Sequence, residues 1–300
     1  MRHACRLAAC SGILAVAAAS SASAHAVVGN RFFPATLVTD DPGVADELSL
    51  PTLSSFKSGD GPSVRQLDVS GEYSKRLTSR LGVSFGETWT RIEAPDAGTA
   101  RGFQNLETTL KYQLVADPAQ ETLLSAGLSY EWGASGSDAV GAERHSTVTP
   151  TLFFGQGGGK LPDSLAWARP FAVTGLVGYA VPSRAHDGDE RIPRVVSWGL
   201  AVEYSLPYLA AHVKDLGLPD AINRLTPVVE ASFESPVGMA GGKTTGTVNP
   251  GLIWSGRHFQ LGAEATIPIN RDSGRGTGFV IQAHFFIDDL FPRSLGKPIW

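Results

Sequence analysis

The stretch "QLGAEATIPIN", Gln260 to Asn270, decides the fold class. Leu261, Ala263, Ala265, Ile267 and Ile269 take every second position and are all apolar, while Gln260, Gly262, Glu264, Thr266, Pro268 and Asn270 alternate with them. Successive side chains on a strand point to opposite faces, so this segment has one apolar face and one polar face. Similar segments, about ten to fifteen residues long, recur through most of the chain and are broken by Gly, Asp, Ser and Pro. They predict twelve strands, near 48–57, 63–77, 80–92, 102–115, 121–133, 145–155, 168–182, 194–208, 224–235, 246–256, 258–269 and 275–287. The first, "LSLPTLSSFK", alternates least clearly and rests partly on the even strand number of bacterial barrels.

Strands of this length exceed the five or six residues usual in soluble sheets. Beyond residue 26 no run of about twenty apolar residues occurs, which excludes a helical span. A closed barrel satisfies every backbone group inside a bilayer and shows lipid one face and its lumen the other. The connections sort into two alternating sets. One contains "LTSR", "VADPAQ" and "SGR", with the longer "QGGGKLPDSLAWA" and the helix-like "YLAAHVKDLGLPDAIN". The other contains "SGDGP", "EAPDAGTAR", "ASGSDAVGAER", "PSRAHDGDERI", "PVGMAGGKTTG" and "NRDSGRGT", which are polar and glycine-rich. Short periplasmic turns and longer outer loops are the habit of outer-membrane barrels. The expected fold is therefore all-β, a transmembrane antiparallel barrel of about twelve strands with both termini periplasmic. On the apolar face Tyr73, Tyr112, Phe171, Tyr204 and Trp254 project near one end, and Tyr130, Trp132, Tyr179, Trp198 and Phe233 near the other. These are expected to form two aromatic girdles at the lipid headgroups.

The opening "MRHACRLAACSGILAVAAASSASAHA" has the layout of a secretory signal peptide, with cleavage expected after Ala24 or Ala26. Leu7 to Cys10 looks like a lipoprotein box, but only six residues precede it and the apolar run continues past it. Cys5 and Cys10 both lie in this leader, so the exported chain has no disulfide framework. Cleavage removes Arg2 and Arg6 and no acid, making the remainder more acidic than the full chain's net charge of −4. A basic nucleic-acid surface is disfavoured. The expected organisation is a signal peptide at 1–26, a periplasmic or lumen segment at 27–47, the barrel at 48–287 and a tail at 288–300.

Four stretches carry a resemblance: "NRFFPATLVTDDPGVADELSLP" at 30–51, "GGKTTGTVNPG" at 241–251, "EATIPINRDSGRG" at 264–276 and "HFFIDDLFP" at 284–292. With the leader, they make the chain resemble the outer-membrane barrel proteins grouped with the MetA pathway of phenol degradation, described as transporter-like. The resemblance implies an outer-membrane barrel and uptake of small organic compounds, with no catalytic or binding motif to place on individual residues. The last strand also resembles the signal read by the outer-membrane assembly machinery, in Gly278, Ile281, Ala283 and Phe285. Because the chain continues to Trp300, either the tail folds back or Trp300 stands in for the terminal aromatic.

Projected inward, the strands bring Asp68, Glu72, Glu107, Glu203, Glu230 and Glu264 to middle depths of the lumen, with Glu131 and Glu234 nearer the outer end. The basic groups on that face are Lys111 and His284. Rings of carboxylates favour cations in a pore. The alternative is simple solvation of the interior, with some carboxylates paired to arginines of loops or the N-terminal segment. An enzyme is not expected: a lipid-facing Ser and His within reach are needed. His284 projects to the lumen, His212 and His258 fall in periplasmic connections, His186 in a loop, and adjacent His145 and Ser146 point to opposite faces. "GQGGGKL" at 155–161 lacks the Ser or Thr of a phosphate loop, and "TDDPGVADE" at 39–47 lacks calcium-loop spacing. No cofactor or metal is expected. Twelve strands leave a narrow lumen, so the leading expectation is a pore or uptake channel for small solutes with an acidic lumen; the resemblance implies aromatic or hydrophobic organic ones among them. The alternative is a structural or surface-interaction barrel with a closed lumen. Which holds depends on whether 27–47 enters the lumen as a plug.

Overall fold

A computed structural model describes residues 26–58, 64–95, 97–238 and 241–300. Residues 1–25, where the signal peptide is expected, and the tip of the "SGDGP" connection lie outside them. Twelve antiparallel strands form the barrel: β1 Glu47–Ser58, β2 Val64–Arg76, β3 Leu81–Ala94, β4 Glu107–Asp117, β5 Thr122–Glu131 and β6 Thr147–Gly157. They continue as β7 Phe171–Pro182, β8 Arg194–Tyr204, β9 Leu225–Val237, β10 Thr245–Ser255, β11 Phe259–Pro268 and β12 Gly278–Phe286. Each strand pairs with its sequence neighbours, and β1 pairs with β12, for example Ile281 opposite Leu53, which closes the sheet. Closure removes every edge, so all twelve ladders are satisfied internally.

Alternation in the sequence becomes inside and outside in the barrel. In β11, Gln260, Gly262 and Glu264 are buried toward the interior, while Phe259, Leu261 and Ala263 are exposed outward. Leu110, Leu152, Val177, Leu252 and Ile281 likewise remain 46–50% exposed on the outer wall. A soluble monomer does not carry a continuous apolar belt of this extent, and lipid is the solvent that suits it. No helix among the described residues is long and apolar enough to cross a membrane. Ring contacts fall into two tiers on this wall. Trp198 stacks on Phe233 at 4.1 Å and Tyr130 meets Trp132 at 4.6 Å, while Phe171 meets Tyr204 at 4.7 Å and Trp254 meets Phe259 at 5.5 Å. Trp198 and Tyr204 share β8 and stand about 20 Å apart along it, a span that suits an apolar band.

The strand expected at 102–115 divides. Gly98–Phe103 folds back on the upper part of β3, with Trp89 opposite Phe103, whereas the barrel strand starts at Glu107. The alternating pattern continued through both pieces and hid the break at 104–106. The weakly patterned first strand is present. It carries a register shift between Ser49 and Thr52, where Pro51 lacks the N–H that a regular ladder needs.

The connections at 77–80, 118–121, 158–170, 205–224 and 256–258 share one end of the barrel, here the short-turn end; the opposite one is the loop end. Beyond β12 a short helix at Ile287–Leu290 turns the tail back across the short-turn end. Lys75 Nζ donates to the carbonyls of Leu295 and Lys297 at 2.8 and 2.5 Å, Arg76 Nη2 to Gly296 O at 3.0 Å, and Trp300 N to Leu77 O at 2.9 Å. Phe285 thus lies within the last strand, one residue before its end at Phe286, and Trp300 lies outside the sheet.

Candidate functional site

Polar side chains of the strands converge in the barrel interior, and residues 26–46 occupy much of it. Val27–Val28 and Arg31–Phe32 make a two-rung hairpin at the short-turn end. Gly29 turns it with φ +61°, and a Cβ there would stand 2.4 Å from Pro118 O, so only glycine serves. Arg31 is fully buried: Nε donates to Glu121 Oε2 at 3.2 Å, Nη1 to Pro170 O at 3.0 Å and Nη2 to Arg169 O at 2.5 Å. Its guanidinium lies 3.9 Å from the centre of the Tyr208 ring, whose hydroxyl donates to Glu121 at 2.9 Å. Burial, reinforced by Glu121, raises the Tyr208 pKa.

From this anchor the segment climbs into the lumen. Gln260 Nε2 donates to Ala35 O at 2.5 Å, and the N–H groups of Leu37, Val38 and Thr39 donate to the Glu230 carboxylate at 2.6, 3.0 and 2.5 Å. On the descending side Lys111 Nζ donates to Asp40 Oδ2 at 2.7 Å and to Asp41 O at 2.9 Å, and Ser125 Oγ to Pro42 O at 2.6 Å. Asp46, fully buried, receives Lys75 Nζ at 2.6 Å, Arg76 Nε at 2.7 Å and the Arg76 N–H at 2.8 Å before the chain enters β1. The segment is a loop held at both feet and at its apex. Room for it comes from inward-facing glycines: a Cβ on Gly262 would stand 2.4 Å from Leu37, and on Gly199 or Gly155 2.9 Å from Thr39 or Pro42.

A cavity of about 460 Å³ remains between this loop and the β1–β5 wall, reaching from Asn105 and Glu131 near the loop end to Ser84 and His284 toward the other. A second lobe of about 450 Å³ lies against Ser232, Thr247 and Phe279. Leu37 and Val38 line both.

The structure separates the carboxylates that strand parity groups together. Glu72, Glu107, Lys111 and His284 line the first lobe, as do Glu131, Asp40 and Asp41. Glu203, Glu230 and Glu264 are buried and border neither lobe; Glu230 is spent on the loop apex. Asp68 accepts from Thr90 Oγ1 at 2.7 Å and from Gln66, and Glu234 borders the second lobe. His284 Nδ1 lies 2.8 Å from Ser49 Oγ, and its Nε2 3.5 Å from Glu47, which ties the β1–β12 seam. The acids of "TDDPGVADE" serve as partners of Lys111, Lys75, Arg76 and the Gly43 N–H. No group of three or more His, Cys, Asp or Glu suited to a metal ion occurs among the described residues. Strand parity did not reveal Asp40 and Asp41, which the inserted loop carries, nor the Arg31 and Glu121 anchor.

The sequence matches no family profile and no curated protein. Among solved structures, the chain is similar to the COG4313 outer membrane channel from Pseudomonas putida F1, at 14% identity and TM-score 0.52, covering 85% of this chain and 99% of that one. It is also similar to the NanC porin, at 11% identity and TM-score 0.51, covering 79% of this chain and 98% of that one. At this identity the likeness concerns the fold. The chain is a closed twelve-stranded barrel of the outer-membrane type, and the apolar belt sets it in that bilayer.

Proposed function

We propose that this chain is an outer-membrane pore for small solutes, narrowed by residues 26–46, with a remaining path that favours cations. The observation that carries the proposal is the cavity alongside the loop, where Asp40, Asp41, Glu72, Glu107 and Glu131 face it and Lys111 is the lysine in the lining. Fixed charge in a water-filled space with low-dielectric walls focuses potential and enriches counter-ions. The channel and porin that share the fold support passage of solutes, and the resemblance to the phenol-degradation barrels supports organic ones. The lining is mostly carboxylate, amide and hydroxyl, which favours solutes bearing a charge or hydrogen-bonding groups over bare hydrocarbons. In this reading the short-turn end and both termini face the periplasm.

The test is conductance of reconstituted protein in planar bilayers, with reversal potentials measured in a salt gradient. A preference for cations is expected, weaker in E72Q/E107Q. Salt should also blunt it as the Debye length falls from about 10 Å at 0.1 M to about 3 Å at 1 M. Anion preference sinks the acidic-path reading. A second reading, a closed barrel whose loops meet a partner, is favoured by the firm anchoring of the loop at Arg31 and Asp46. It gains if deleting residues 27–46 still yields no conductance.

A further inference from the structure

We propose that Lys57, Arg65, Arg91 and Arg101, a row of bases on the outer wall at the loop end, bind the phosphates of lipid A in the outer leaflet. The row lies outside the lumen and does not depend on conductance; it rests only on the reading that the loop end faces outward. Lys57 of β1 is the register partner of Arg65 in β2, Arg65 of Glu93 in β3, and Arg91 of Arg101 in the folded-back strand Gly98–Phe103. Residues directly opposite in an antiparallel pair share a face, and Arg91 and Glu93 share theirs by strand alternation. That face is the lipid one. The alternate residues Asp68 and Thr90 bond each other at 2.7 Å in the interior, while Leu67 and Val69 lie below Arg65 and Trp89 below Arg91. All four bases are exposed, and they cross three strand spacings of about 4.8 Å, about 14 Å in all.

Two separate features of the row call for an anionic amphiphile. The first is its charge. Lys57 stands directly against Arg65 and Arg91 directly against Arg101, and like charges so placed are destabilising without a counter-ion. Glu93 Oε1 accepts from Arg91 Nη2 at 2.6 Å, and among the described residues no ion pair joins an acid to Lys57, Arg65 or Arg101. Glu87, the other acid on this face of β3, stands below Trp89. The second feature is depth. Arg65 stands about 26 Å along β2 from Tyr73, against about 20 Å between the two aromatic tiers on β8, so the row begins where the apolar band ends. Trp89 and Phe103 are register partners beneath Arg91 and Arg101. Aromatic rings at the interface with clustered bases above them suit a lipid with an anionic headgroup, whereas a free anion makes no use of the rings. Guanidinium forks match phosphate oxygens. A row about 14 Å long exceeds one phosphate and fits a headgroup that carries two, as lipid A does.

The test is native mass spectrometry of the folded protein in a neutral detergent, titrated separately with lipid A, phosphatidylglycerol and inorganic phosphate. Saturable binding of lipid A is expected, with phosphatidylglycerol and phosphate at least about tenfold weaker, the scale of one charge-assisted hydrogen bond. R65Q/R101Q should weaken lipid A by about tenfold or more, and R65K/R101K, which keeps the charge and loses the fork, by less. R257Q, an exposed base at the short-turn end, should bind as the native protein does. Absence of saturable lipid A binding, equal binding of phosphatidylglycerol or phosphate, native binding by R65Q/R101Q, or an equal loss in R257Q each overturn the proposal. Orientation is read separately, by labelling H186C, at an exposed position of a loop-end connection, with a membrane-impermeant maleimide on intact cells. Labelling is expected. Its absence puts the row in the periplasm and overturns lipid A as the occupant, even where the detergent titration shows binding.

Discussion

Replacing Glu230 by Gln should release the apex of the lumen loop. Glu230 is fully buried; its Oε1 accepts the Leu37 N–H and its Oε2 those of Val38 and Thr39. An amide keeps one acceptor oxygen and turns an NH₂ group toward the remaining donors, so one or two charge-assisted bonds are lost. Hydrogen bonds to charged groups contribute about 1.5–3 kcal/mol each, which puts the loss at about 2–5 kcal/mol. At about 3 kcal/mol the population of the undocked apex rises by on the order of a hundredfold. Hydrogen exchange resolved to the peptide containing Leu37 to Thr39 measures this directly. Protection there should fall by about that factor, while the Phe33 N–H, bonded to Ala26 O at 3.0 Å beside the Arg31 anchor, keeps its own. Unchanged exchange at Leu37 to Thr39 would show that Glu230 does not hold the apex.

Breaking the lower anchor with R31M leaves Glu121 buried without its cation, and should cost about 3–5 kcal/mol; urea unfolding in lipid vesicles reads the loss, and a change below 1 kcal/mol refutes the assignment. L252R on the lipid face should destabilise the barrel by about 2–4 kcal/mol, and S232R, at the wall of the second lobe, by much less; equal costs would invert the register. Burial, then the charge of Glu47, raises the Asp288 pKa to about 7 against the opposing pull of Arg76. Its folded-state pKa lies above the ordinary 3.8, so its contribution to docking the tail is fully present below about pH 4 and is lost as pH rises through about 7. Exchange at Gly296 and Ile299 should accelerate over that window, and D288N should abolish the dependence; a pH-independent native tail contradicts it.

Strand existence was legible because a half-lipid, half-lumen wall imposes period two on every segment, as in Leu261 to Ile269 opposite Gln260 to Thr266. Inward parity also identified Glu72, Glu107, Glu203, Glu230 and Glu264 as one set. What parity lacks is depth and occupancy. Leu37 and Glu230 meet across 193 residues of sequence, and the loop between Phe33 and Asp46 follows no period, because its backbone is satisfied by barrel side chains rather than by a ladder. So the local pattern did not separate the carboxylates bordering the cavity from those buried beneath the loop. One signal for the insertion was present: Gly155, Gly199 and Gly262 all fall on inward parity, and each is where Phe33, Pro42, Thr39 or Leu37 presses against the wall. Inward glycines spaced around the barrel, here on β6, β8 and β11, are the trace that an inserted segment leaves in sequence. The split of 98–103 from β4 escaped for a different reason, since a hairpin extending beyond the barrel alternates as a barrel strand does.

The most direct measurement is single-channel conductance in planar bilayers, comparing the full exported chain with a variant lacking residues 27–46. The native protein should conduct weakly and prefer cations. The variant should conduct several times more and keep that preference, because Glu203, Glu230 and Glu264 then join Glu72 and Glu107 in contact with water. No conductance from either protein, or a conductance that the deletion leaves unchanged, would contradict a pore narrowed by its own N-terminal segment.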